Sequence, residues 1–269
     1  RLKEFIKAFS VITIIVLTIN AGHLARNYYV FNTFLTPASE KKYVYNEKIT
    51  PALFISNVVR NISNHIGTGS SDINVYIYKK IEDFHKLIGV DINDRNTTFP
   101  KENFRIFGIN YSETLAGNFW HLILVFLSLG LLLLSPVKNK KILVYSGLCI
   151  STFILFSLLL KWQPWATRLE LTFFVISSAF IGITLADIKY KKIVNLLIIF
   201  LMLTSIPPLL LCYQRNFLQY LINSPTREES YFTDRYVMQE IYFSMADYVK
   251  KILAWILVQI PMNTLSGYY

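Results

Sequence analysis

Charge is scarce in this chain. Only 16% of its 269 residues are Asp, Glu, Lys or Arg, while 53% are hydrophobic; soluble domains carry about 25% charge. So little polar material does not suffice to cover an apolar interior in water. The mean hydropathy of +0.39 points to lipid as part of the solvent. Cysteine is nearly absent as well. Cys149 and Cys212 both lie inside apolar runs, have no metal-ligand spacing, and no spacing argument pairs them. Histidine is limited to His23, His65, His85 and His121. The chain has no phosphate-cradling glycine loop, no HExxH pair and no nucleophile elbow, and no cofactor is identified. The stretch "DINDRNTT" (91–98) resembles a calcium loop but lacks the central glycine and the closing glutamate. A divalent metal therefore has no firm support.

Long apolar runs are what the chain does have. Five, at 5–24, 119–134, 142–160, 169–186 and 193–213, reach or approach the ~20 residues that cross a bilayer core. They predict a mainly α, polytopic membrane protein with about five transmembrane helices. The formal charge of +10 sits largely in clusters beside these runs: Arg1, Lys3 and Lys7; Lys138, Lys140 and Lys141; Lys189, Lys191 and Lys192. Clustering of this kind sets topology rather than binding nucleic acid. If all five runs span, the three clusters fall on one side, the cytoplasmic one. The expected organisation is a first helix (1–24), an extracytoplasmic helical segment (25–118), helices two to five (119–213), and an extracytoplasmic tail (214–269) that reads as the opening of a further domain. Pro207 and Pro208 predict a kink near the outer end of the fifth span.

The 25–118 segment has helical patterning of its own. "TPALFISNVVRNISNHIG" places Ile55, Val59, Ile62 and Ile66 on one face between Pro51 and Gly67. "SSDINVYIYKKIEDFHKLIG" repeats the plan with a cap at Ser70 or Ser71, a stripe of Ile73, Ile77, Ile81, Phe84 and Ile88, and a stop at Gly89. These two amphipathic helices are expected to pack on each other or to lie on the bilayer surface. His65 and His85, both on them, are expected at the surface. In the tail, Met238, Ile241, Met245 and Ile252 follow helical spacing.

Ionisable and aromatic residues gather where the runs meet the outer side. "NAGHLARNYY" brings His23 and Arg26, "SETLAGNFWH" brings Asn118 and His121, and "KWQPWATRLE" brings Lys161, Trp162, Trp165, Arg168 and Glu170. Tryptophan belts with snorkelling cations are ordinary at any membrane interface. The same residue types also suit a lipid phosphate bearing a sugar, gripped by an arginine fork beside aromatic faces. Glu170, an acid just inside a span, needs a partner, and Arg168 and Lys161 are the sequence-near candidates.

"KWQPWATRLELTFFVISSAFIG", "INAGHLARNYYVFNTFL" and "SETLAGNFWHL" resemble stretches of bacterial family 39-like membrane glycosyltransferases of the GT-C type. The likeness runs from about residue 19 to residue 248. It implies transfer of a sugar from a polyprenyl-phosphate donor at the extracytoplasmic face of the inner membrane, to a glycan, lipid or protein acceptor. That family places its catalytic carboxylate in the first outer loop of the complete protein. Here the segment behind the first run has only the isolated Glu40 and Glu47, and the chain opens at Arg1 without methionine. A C-terminal portion lacking that loop is therefore expected. A lipid or glycan transporter component is the alternative class, but no repeat accompanies the runs; an O-antigen-type polymerase, with its large outer loops, stays open.

Overall fold

The computed structural model describes residues 2–35, 37–135, 140–212, 222 and 236–259. Among them are nine helices: α1 (Leu2–Phe31), α2 (Ala38–Val44), α3 (Pro51–Ser63), α4 (Ser71–Leu87), α5 (Phe119–Leu134), α6 (Lys140–Leu159), α7 (Ala166–Ala186), α8 (Lys191–Leu211) and α9 (Tyr236–Gln259). No strand occurs among the described residues; the only bridges are isolated ones, Tyr45 with Leu160 and Thr98 with Trp162. The chain is a mainly helical membrane protein. Four helical stretches are long and apolar enough to cross a bilayer: Phe9–Phe31 of α1, then α6, α7 and α8. Helix α5, the remaining predicted span, has 16 residues, about 24 Å at 1.5 Å per residue, and falls short of a ~30 Å hydrocarbon core.

The chain divides into two compact units, Arg1–Ile109 with Gly117–Asp187, and Asn110–Ala116 with Ile188–Tyr269. In the first unit α7 packs against both α5 and α6, and α3 packs against α6. The helix contacts are built from Leu122, Val125, Cys149, Phe153, Phe173, Phe174 and Phe180. Buried serines at positions 128, 146, 157 and 177 let the backbones approach closely. The second unit holds α8 and α9. No residue of α8 is buried, and the helix continues through Pro207 and Pro208 to Leu211.

Residues 38–109 form a cap on the first unit. Thr50 starts α3 by accepting the Leu53 N–H at 3.2 Å, with Pro51 in the first turn where its missing donor is harmless. Ser70 does the same for α4 through the Ile73 N–H. Gly89, at φ +69, supplies the left-handed residue behind that helix. Gly67 has a steric role: a Cβ there would stand 1.5 Å from the Phe107 carbonyl oxygen.

The expectation for α3 holds in part: Val59 of its apolar stripe packs with Ile77 and Ile81 of α4, while the most buried face of the helix is polar. Ile55 is 42% exposed, and the buried residues are Leu53, Ser56, Asn57, Arg60, Asn61 and Ser63. The reason is what α3 covers: a helix end with orphaned carbonyls, which needs donors rather than methyl groups. The apolar packing of the cap centres on Ile81, Ile92, Phe104 and Trp162, flanked by Val59, Ile66, Ile77, Tyr78 and Ile106.

Candidate functional site

The last carbonyls of α6 have no partner within the helix, and the cap provides one for each. Asn46 donates its backbone N–H to Leu159 O at 2.9 Å and its side-chain amide to Leu158 O at 2.9 Å and Ser157 O at 3.2 Å. Asn57 donates to Ser157 O at 2.6 Å and Leu160 O at 2.7 Å. Asn61 reaches the Ser157 hydroxyl at 3.0 Å. The chain then enters the cap: Lys161 N–H donates to Val44 O, Trp162 N–H to Thr97 O, and Phe99 N–H to Trp162 O. The Trp162 indole is fully buried and donates to Asn64 Oδ1 at 3.1 Å.

Arg60 lies over that indole, 6.0 Å from its centroid. Its guanidinium is buried among neutral oxygens: Ile92 O at 3.0 Å, Thr98 Oγ1 at 2.6 Å, Thr97 Oγ1 at 2.8 Å and Thr97 O at 3.2 Å. Burial pushes its pKa down to about 9, against the more distant pull of Asp94 and Asp91. Those two acids serve loop turns. Asp91 accepts the Asn93 N–H, and Asp94 accepts the Asn96 N–H and side-chain amide. No group that could hold a metal ion occurs among the described residues.

Glu170 is paired with His65 rather than with Lys161 or Arg168. His65 Nε2 lies 2.7 Å from Glu170 Oε2, and both side chains are buried. His65 Nδ1 accepts the Asn118 N–H at 3.1 Å, so it carries no proton and Nε2 is the protonated nitrogen. Phe174 packs edge-on against the ring at 4.8 Å. Both nitrogens are thus committed, and His65 joins the cap, the start of α5 and the first turns of α7. Glu170 Oε1 is buried without a hydrogen-bond partner among the described residues. His85 is also buried, contrary to expectation. Its Nδ1–H donates to Ile81 O at 2.7 Å, which leaves Nε2 to accept from Ser56 Oγ at 2.9 Å. Burial lowers its pKa below 6.5.

The predicted site residues therefore separate by environment. Lys161 and Trp162 are buried in the cap, Lys161 bonding Glu47 Oε1 at 2.5 Å and Arg95 O at 3.1 Å. Trp165 is half-buried, edge-on to Phe99 at 5.0 Å. Asn118, half-buried, and His121, whose ring is 6.4 Å from Phe174, share the neighbourhood of Glu170. His23 and Arg26 are exposed on α1; His23 lies 3.1 Å from Asn27 on the same helix, and neither touches the other clusters by a hydrogen bond. Arg168 is exposed and makes no ion pair among the described residues. Residues 168, 171, 172 and 175 are all exposed and fall on one face of α7 at 100° per residue. Comparisons with protein-family models, with curated proteins and with solved structures return no match for this chain.

Proposed function

We propose that this chain belongs to a membrane glycosyltransferase that takes its sugar from a polyprenyl-phosphate donor. The observation that carries the proposal is the position of Arg168: a cation in the first turn of α7, beside exposed Leu169, Leu171 and Val175. A lipid phosphate approaching through the bilayer meets that face. The guanidinium fork matches phosphate oxygens, and the N-terminal end of the helix adds favourable potential for an anion. Lys161 and Trp162 act differently from Arg168. They anchor the cap that fixes the entry to α7. An acceptor oxygen attacks the anomeric carbon, the bond from that carbon to the phosphate oxygen breaks, polyprenyl phosphate leaves, and a carboxylate takes the acceptor's proton. Glu170, buried against His65, is not assigned that role. The basic residues Lys140, Lys141, Lys189, Lys191 and Lys192 support a cytoplasmic placement for the 140-side and 190-side turns, with the cap at the extracytoplasmic face of a bacterial plasma membrane.

The test uses the whole protein in proteoliposomes with a polyprenyl-phosphate-linked sugar. Arg168→Ala is expected to lower transfer by about 10- to 100-fold, the worth of a charge-assisted hydrogen bond, with membrane insertion intact and partial recovery in Arg168→Lys. Unchanged turnover in Arg168→Ala removes the residue from the site, and the proposal with it.

A further inference from the structure

The C-terminal end of α1 bears a groove. Helix α1 stops at Phe31, and Asn32 turns the chain through the left-handed region at φ 55. Residues 33–35 then fold back along the helix. Asn27 holds them, donating its side-chain amide to Leu35 O at 3.0 Å and Phe34 O at 3.4 Å, and the Phe34 ring stacks on Tyr28 at 4.8 Å. Facing this return is α2. Between them, Thr33, Phe34, Leu35, Lys41 and Tyr45 line a groove of about 490 Å³.

Its walls are amphiphilic. Phe34 is 59% exposed and Leu35 70%, so nothing among the described residues covers the apolar side. Thr33 Oγ1 is buried without a hydrogen-bond partner among the described residues. Lys41 is exposed and makes no ion pair there. The neighbouring charges are Glu40, and Lys42, which lies 5.1 Å over the Tyr43 ring. No residue of α1 from 9 to 26 is buried within the protein, so the groove opens where a helix surrounded by lipid leaves the hydrocarbon.

We propose that this groove binds one anionic glycerophospholipid. Its phosphodiester sits on Lys41 with the Thr33 hydroxyl available to it, and its acyl chain runs over Phe34 and Leu35 onto α1. Lipid is the occupant because it is the amphiphile already concentrated at that depth. The groove falls within the ~300–1,000 Å³ of small-molecule sites, and an apolar wall with one cation and an aromatic rim is how interfacial sites hold headgroups. A free phosphate would find one exposed lysine and no apolar complement. This site is independent of Arg168 and of the glycosyltransferase reading.

Native mass spectrometry of the whole protein, released from nanodiscs containing equal phosphatidylglycerol and phosphatidylcholine, tests the site. One retained phosphatidylglycerol is expected, preferred about fivefold, as one interfacial lysine confers. Lys41→Gln abolishes the preference, Lys41→Arg keeps it, and Lys80→Gln, an exposed change on α4, leaves it unaltered. The proposal is overturned if Lys41→Gln retains the preference, or if millimolar inorganic phosphate removes it in the unmodified protein, since the site would then recognise the anion without the lipid.

Discussion

Arg60 is a buried cation whose hydrogen-bond acceptors among the described residues are carbonyl, amide and hydroxyl oxygens. Replacing it by Met takes the guanidinium donors from the Thr97 and Thr98 hydroxyls and the Ile92 carbonyl, and a loss of about 2–4 kcal/mol in cap stability is expected. Arg60→Lys does not restore it, because one ammonium cannot reproduce the fork. Thermal unfolding in detergent measures both. His85 gives a pH dependence of defined sign. Its folded form binds a proton less readily than the unfolded chain, because burial lowers its pKa below 6.5. Its contribution is therefore complete above about pH 6.5 and is lost as pH falls below that value, where the unfolded chain takes up protons first. His85→Asn keeps a donor for Ile81 O without titrating, so its unfolding midpoint should fall less than that of the unmodified protein between about pH 7 and pH 5. An equal fall in both would show that His85 contributes nothing to the slope. At this scale the sequence was half legible. That Glu170 needed a partner followed from its position in an apolar run. That the partner is His65, 105 residues away, did not, although helix geometry counts against Arg168: residues two apart do not face each other.

At the scale of elements, the junction between α3 and α6 is made of amide donors on helix carbonyls. Asn57→Ala removes the donor of the Leu160 oxygen and leaves the Ser157 oxygen only the longer bond from Asn46, and should cost about 1–3 kcal/mol. Hydrogen exchange reads the change directly, as faster exchange of the amides at 156–163; protection equal to that of the unmodified chain would remove Asn57 from the junction. Gly67→Ala drives a methyl into the Phe107 carbonyl and should destabilise the cap by about 1–3 kcal/mol, read as faster proteolysis near 105–109. Helix α4 was legible at both ends, since Ser70 caps it and Gly89 closes it. Helix α3 was legible as a helix and, through Val59, in its packing with α4, but not in the burial of its polar face. Periodicity marks an apolar stripe and is silent on a face whose counterpart is a helix end with open carbonyls.

On the scale of the whole molecule, the apolar surplus is accounted for by helices whose side chains face outward, as on α1 and α8. Trp162 is where the cap and the spans of the first unit are joined. Trp162→Ala should cost about 3–5 kcal/mol and release the cap to protease in proteoliposomes while α6 and α7 stay inserted. A cap that stays resistant would mean the backbone bridges at Lys161 and Trp162 suffice.

The amides that close the end of α6 also set an order of events during synthesis. Asn57 precedes its acceptor Ser157 by 100 residues, an interval of about 5–20 s at ribosomal rates of 5–20 residues per second. Throughout that interval the donors of α3 and the guanidinium of Arg60 have no Trp162 and no helix end to rest on. Only when α6 and the turn behind it have emerged can the polar face of α3 leave water, so the cap is translated before α6 and completed after it.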